Sequence, residues 1–174
     1  MKTFDQFIKD WNGKPVDTDG AFGAQCMDAM HKYKTEVLGI TDFLTLAAPQ
    51  ARLVYENFNN IKGHELFERI PNTPTGVPIK GDIFFFGKGV GPDGHVCMFI
   101  EGNVNSFRSF DQNWAGKKYC TIVTHNYNGA LGWLRYKGQP MTCDQKIEKV
   151  KQILLKNGTT DTQKVIDSKY VLGV

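Results

Sequence analysis

The chain has 174 residues, 41% of them hydrophobic and 22% charged, the size and balance of one globular domain with a small appendage. Its formal net charge of +3 is small and spread along the chain, and no basic block alternates with aromatics, so the footprint of a nucleic-acid binder is missing. No stretch is apolar and long enough to span a bilayer. Charges also interrupt the apolar residues of MKTFDQFIKDWNGK, which excludes a signal-peptide core there and predicts synthesis as a soluble cytoplasmic chain without a membrane partner.

Residues 3–11 read as a short helix, because Phe4, Phe7, Ile8 and Trp11 recur at helical spacing, Thr3 and Gln6 form a capping box, and Gly13 supplies a stop. A Gly- and Asp-rich loop, 14–23, leads into a second helical pattern over 25–38 that ends at Gly39. Cys26 falls in its first turn. A third helix is predicted over 49–57, with Pro49 in the first turn and Leu53, Val54 and Phe58 facing inward.

After the turn-rich stretch 71–78 the character changes. GDIFFFGKG, GHVCMFIEG, SFRSFDQNW, KKYCTIVTHNY and ALGWLRY are short runs rich in β-branched and aromatic residues, separated by Gly, Asn and Asp. They predict an antiparallel sheet of five to six strands. Helices first and strands afterwards is the order of an α+β domain, here over 1–140. From Met141 the signals turn helical again: Thr142 with Gln145 as capping box, Ile147, Val150, Ile153 and Leu154 as an apolar stripe, and Asn157-Gly158 as stop. Residues 141–174 thus form a short helical tail or linker, whose role the sequence leaves open. A monomer is expected, with the tail as the one element that could mediate oligomers.

The four cysteines, Cys26, Cys97, Cys120 and Cys143, have irregular spacing, fit no zinc-finger pattern and should be free thiols in a reducing cytoplasm. Cys26 follows a loop and opens a helix, where unpaired N–H groups and the helix dipole favour thiolate and could hold an oxyanion. His95 starts the strand HVCMFI after the loop GVGPDG, which puts an imidazole at a sheet edge as a candidate base, with His31, His64 and His125 as competitors. In FDQNW, strand alternation sends Asp111 and Asn113 to one face and Gln112 to the other, so that a carboxylate and an amide could both approach that imidazole. Cys97 shares the His95 face of its strand and reads as a packed core thiol rather than a zinc ligand.

The strings DTDGAFGAQCMD, GDIFFFG, GHVCMFIEG and FDQNWAG, in this order, resemble the CHAP domain (papain-like amidohydrolase and peptidase) of phage endolysins, over roughly residues 10 to 137. The resemblance implies a papain-like fold in which Cys26 is the nucleophile, His95 the base, and Asp111 and Asn113 the groups that orient it. Asp111 stands where similar phage enzymes often carry Glu, so which of Asp111 and Asn113 is the main orienter stays open. His125 matches a Thr-His run for which a structural or rim role is expected. The implied activity is hydrolysis of an amide bond in bacterial peptidoglycan for host-cell lysis, acting on the wall after release. An endopeptidase is favoured slightly over an N-acetylmuramoyl-L-alanine amidase. The alternative is a calcium-stabilised wall-binding or tail-associated module without a working site. Neither the bond cut nor the target species is legible.

Counted from Asp17 as position one, Asp19 falls at three, Ala21 at five, Gly23 at seven and Asp28 at twelve, the ligand spacing of an EF-hand loop. The Gly at position four and the Asp at twelve depart from that pattern. The family resemblance implies a calcium ion held by the side chains of Asp17, Asp19 and Asp28 and the carbonyls of Ala21 and Gly23. Because Asp28 shares a helical turn with Cys26, the metal would orient the nucleophile.

Overall fold

The computed structural model describes residues 1–41 and 50–138, together with Val150 and Leu154. Helix α1, Phe4–Trp11, starts where predicted: Thr3 is the N-cap, and its hydroxyl accepts from Gln6 N–H at 3.2 Å. Phe4 and Phe7 lie on its inner face and meet Tyr33 edge-on at 5.1 and 5.7 Å between ring centroids. Tyr33 belongs to α2, Cys26–Glu36. The two helices are also joined at Glu36, which accepts from Lys2 Nζ at 2.9 Å and Trp11 Nε1 at 3.1 Å. Helix α3, Ala51–Glu56, is a turn and a half with Val54 fully buried.

Six strands form one antiparallel sheet: β1 Phe67–Pro71, β2 Ile83–Phe86, β3 His95–Gly102, β4 Phe107–Asp111, β5 Thr121–His125 and β6 Ala130–Tyr136, in the order β1-β6-β2-β3-β4-β5. The α+β expectation holds. Five of the strands lie within the runs read from the sequence. The sixth, β1, is an edge strand in which only Phe67 is buried and which ends in a proline, so it carries little of the alternation that marks a strand.

Both faces of the sheet are covered. Ile83, Phe85, Val96, Met98 and Phe110 pack with Phe7, Met30, Tyr33 and Val54 of the helices, while Phe84, Phe86, Cys97, Phe99, Phe107 and Trp133 form a second cluster. This explains why β2 reads as an unbroken apolar run: its alternating residues are buried on opposite sides. Each buried phenylalanine contributes about 1.5–3 kcal/mol, so the centre of the sheet is a firm platform. Strand β3 leaves it at His95, directly after Gly94. That glycine has φ +70°, and a Cβ there would run into Phe86 O and lie 2.8 Å from Arg52 Cβ, so the loop can enter β3 this closely only through glycine.

The chain divides into two units, Met1–Gly138 and Gln139–Val174. In the second, Val150 and Leu154 are helical; the other residues on which a tail helix was predicted, Cys143 among them, lie outside the described residues. Among the described residues no helix is long and apolar enough to cross a membrane.

Candidate active site

Cys26 is the first residue of α2, with Gln25 as N-cap. The cap is closed by Asp28, whose Oδ2 accepts from Gln25 N–H at 2.8 Å. Its Oδ1 reaches back into the preceding loop, accepting from Thr18 N–H at 3.0 Å and Thr18 Oγ1 at 2.6 Å. The start of the helix is thus clasped to its loop by one buried carboxylate.

Opposite stands His95, 5% exposed, at the entry to β3. Its Nε2 lies 2.9 Å from Asp111 Oδ2, and the ring also shares a hydrogen bond with Cys26. Burial opposes charge on the imidazole, but the bonds and charges of Asp111 and Cys26 outweigh it and push His95 up to about 9. Burial likewise opposes charge on Asp111, which is 0% exposed. The hydrogen bonds from His125 and His95 prevail and hold its carboxyl below the usual range. Asp111 is therefore a carboxylate and only accepts. His95 must present N–H at Nε2, which leaves Nδ1 for the Cys26 thiol.

The carboxylate has two further partners. Ser109 Oγ donates to Oδ1 at 2.5 Å, and His125 Nε2 lies 2.9 Å from Oδ2, the oxygen that also serves His95. Ser109 carries no sequence signal for this role, and His125, a competitor of His95 in the sequence with an expected structural or rim role, here shares its carboxylate. Trp114 stands against both imidazoles, 4.9 Å from the His95 ring and 4.4 Å from the His125 ring between centroids.

Asn113 is not where alternation sent it. Strand β4 ends at Asp111, and Asn113 takes a left-handed conformation with φ +61°, so period-two logic stops two residues early. The structure gives His95 the Asp111 carboxylate as its ring partner. The Asn113 amide instead donates to Gln25 Oε1 at 2.7 Å. Gln112 takes the face opposite Asp111, as alternation requires, and becomes a staple there: Oε1 accepts from Val16 N–H at 2.7 Å, and Nε2 donates to Val16 O at 2.7 Å and Gln25 O at 2.6 Å. Both ends of the loop before Cys26 are thereby tied to the end of β4.

Cys97 is fully buried, and burial raises its thiol well above the ordinary range, in keeping with a core residue. Cys97, Asp111 and His125 offer ligand atoms within 4.8 Å of one another, but Asp111 is already committed to two histidines and a serine.

Asp17, Asp19 and Asp28 also bring carboxylate oxygens within 4.8 Å of one another. Asp17 Oδ1 accepts from Gly20 N–H and Asp19 Oδ1 from Ala21 N–H, both at 2.8 Å, so Oδ2 of each lies outside those loop bonds. Ala21 and Gly23 occupy the same loop, in which Gly20, Phe22 and Gly23 all have positive φ. Asp17 and Asp19 on the loop and Asp28 in the first turn of α2, where it also accepts from Thr18 and Gln25, bring together three hard oxygen donors of the kind calcium takes.

Cys26 and His95 open onto a cleft of about 700 Å³ whose lining also includes Phe22, Asp93, Asn113 and Trp114. Among the described residues, the three non-glycine residues with positive φ are Phe22, Asn113 and Ala115, and all three line this cleft. Backbone strain of this kind collects where a ligand must be met. A thiol at a helix N-terminus, facing an imidazole held by a buried carboxylate, is the constellation of papain-like cysteine hydrolases, and it can attack an acyl carbon.

No family model matches the chain. It is 32% identical over 120 residues to the endolysin LysK of Staphylococcus phage K, a match that covers 66% of this chain and 22% of LysK. The chain thus spans about a fifth of that relative's length. The crystal structure of the wild-type endolysin LysIME-EF1 superimposes with a TM-score of 0.58 at 24% identity, covering 79% of this chain and 67% of that one. Ly7917, solved with the hydrolyzing product of MDP, follows at a TM-score of 0.56 and 15% identity, covering 76% and 61%. In sequence and in fold the chain is similar to the CHAP-domain phage endolysins that its motifs resemble.

Proposed function

We propose that this chain is a peptidoglycan hydrolase of the endolysin type, which cleaves an amide bond of the bacterial wall through a Cys26 thioester. The observation that carries the reading is the hydrogen-bonded run from Cys26 and His95 on the wall of the cleft to the buried Asp111 behind them. The likeness to LysK supplies the substrate class. In the proposed reaction the Cys26 proton is already held on His95 as imidazolium, Cys26 Sγ attacks the amide carbon, and the oxyanion meets N–H groups of the first turn of α2. The imidazolium, held by Asp111, returns the proton to the departing amine. His95 then takes a proton from water as it attacks the thioester, releasing the acid and the thiol. Asn113 orients Gln25 at the helix start rather than His95. An endopeptidase is preferred slightly over an N-acetylmuramoyl-L-alanine amidase.

Calcium belongs to the same proposal. Asp17, Asp19 and Asp28, with the carbonyls of Ala21 and Gly23, would hold it, and the ion would supply positive charge that ties three mutually repelling carboxylates into one loop. The proposed partner is peptidoglycan, reached after release from the cell in which the protein is made. The test is clearing of purified Gram-positive walls. Cys26→Ala should lower the rate at least about 10³-fold with an unchanged melting curve, and retained clearing would refute the mechanism.

A further inference from the structure

Asp111 holds two histidines on one oxygen. The Nε2 atoms of His95 and His125 each lie 2.9 Å from Oδ2, and a carboxylate oxygen only accepts, so each ring spends an N–H there. His125 is 6% exposed and is fixed from three sides by Trp114 at 4.4 Å, Phe107 at 5.3 Å and Phe86 at 5.2 Å between centroids. Those contacts need only an aromatic ring. The bond to Asp111 needs a nitrogen at the ring's far tip, and a phenylalanine would leave the buried carboxylate one donor short.

We propose that His125 is a positioning residue for the hydrolysis: it donates Nε2–H to Asp111, keeps that carboxylate charged and aimed, and through it sets how firmly His95 is held as imidazolium. This rests on the cysteine-hydrolase reading above. The polar and titratable groups that face Asp111 are His95 and Cys97 of β3, Ser109 of β4, His125 of β5 and Cys120 just before β5, with Cys26 of α2 beyond His95. Burial holds Cys97 and Cys120 as neutral thiols, and Ser109 is neutral. His125 is thus the one group besides His95 and Ser109 that offsets the buried charge by a bond to it.

The sign follows from the bond. Losing the His125 donor makes Asp111 easier to protonate, and a protonated Asp111 no longer stabilises the imidazolium. The acid limb of wall clearing, measured at low wall concentration so that it reports kcat/KM, should therefore move to higher pH. A hydrogen bond to a charged group corresponds to a shift of about one pH unit.

The decisive set is wild type, His125→Asn, His125→Gln and His125→Leu, each checked for folding by circular dichroism, with Cys26→Ala alongside. Gln places its amide nitrogen near the position of Nε2, whereas Asn stops short. The inference predicts an acid limb about one unit higher for Asn and for Leu, and a limb returned to the wild-type position by Gln. If Leu does not fold, the Asn and Gln pair decides, both being polar and no larger than the imidazole. A limb at the same pH in every folded variant, with only the melting temperature lowered, would make His125 a core filler and overturn the proposal. Clearing by Cys26→Ala would instead overturn the cysteine reading, and this inference with it.

Discussion

The two sides of the cleft are held by different means. His95, Asp111 and His125 sit on three adjacent strands, buried among Phe86, Phe107 and Trp114, and their bonds run between side chains fixed by the sheet. Cys26 rides on a helix whose entry is a glycine- and aspartate-rich loop with exposed acidic residues and three consecutive-turn positions of positive φ. The sheet side is set by packing, which resists small changes because apolar burial is spread over many contacts. The helix side is set by a few polar clasps: Gln112 on both ends of the loop and Asp28 across it. An error of an ångström between thiol and imidazole is costly in rate, so the weak point of the proposed site is the loop rather than the sheet.

Cutting the strongest clasp should have the largest effect. Gln112→Ala removes partners from Val16 N–H, Val16 O and Gln25 O and should destabilise the fold by about 2–4 kcal/mol, a drop of roughly 5–15 °C in melting temperature. Activity should fall further than stability explains, because Cys26 loses its register with His95. Calorimetry paired with wall clearing below the transition separates the two; clearing at the wild-type rate in the folded variant would mean that the loop needs no staple.

Chelation comes next. Calcium at about a hundred times its dissociation constant would add about 2.7 kcal/mol, so EDTA should lower the melting temperature by roughly 5–10 °C and reduce clearing, and added calcium should restore both. The double variant Asp17→Asn with Asp19→Asn should melt at one temperature with or without the ion. Identical melting of the wild type in EDTA and in calcium would remove the metal from the account.

The sheet side should answer to pH instead. His95 is raised from 6.5 to about 9, so the native state holds its proton more tightly than the unfolded chain does. The stability this contributes is fully present below about pH 6.5 and is lost as pH rises through about 9. The slope is at most about 1.4 kcal/mol per pH unit for one proton, so the loss is gradual where the other two are single steps. Melting curves over that window should flatten in His95→Gln; an equal slope in that variant would assign the loss to another group.

The same division governs what could be read from the sequence. The strand strings IFFF and HVCMFI, the Thr3 cap and the opening of a helix at Cys26 are local signals, expressed in adjacent residues, and the structure places these elements within a residue or two. The register of Asp17, Asp19 and Asp28 is local as well, and their carboxylates do gather. The roles of Asp111, Gln112, Asn113 and His125 depend on where β4 ends and on what lies across the sheet. Alternation sends Gln112 to the face opposite Asp111, where it lies, but carried past Asp111 it aims Asn113 at the histidine, whereas the left-handed backbone at Asn113 lets its amide bond Gln25 instead. Gln112 meets Val16 across 96 residues of chain, and His125 meets Asp111 only through the pairing of β4 with β5, distances at which no local pattern speaks. The edge strand β1 was unread for a simpler reason: FERIP has one buried residue and a proline.

Under the proposed function Cys26, activated by His95, breaks an amide bond in the wall. Mass spectrometry of walls digested by the wild type and by Cys26→Ala tests it most directly. New amine and carboxyl termini at one kind of amide bond are expected with the wild type and none with the variant. The same new termini with Cys26→Ala, or new sugar reducing ends in place of amide cleavage, would contradict it.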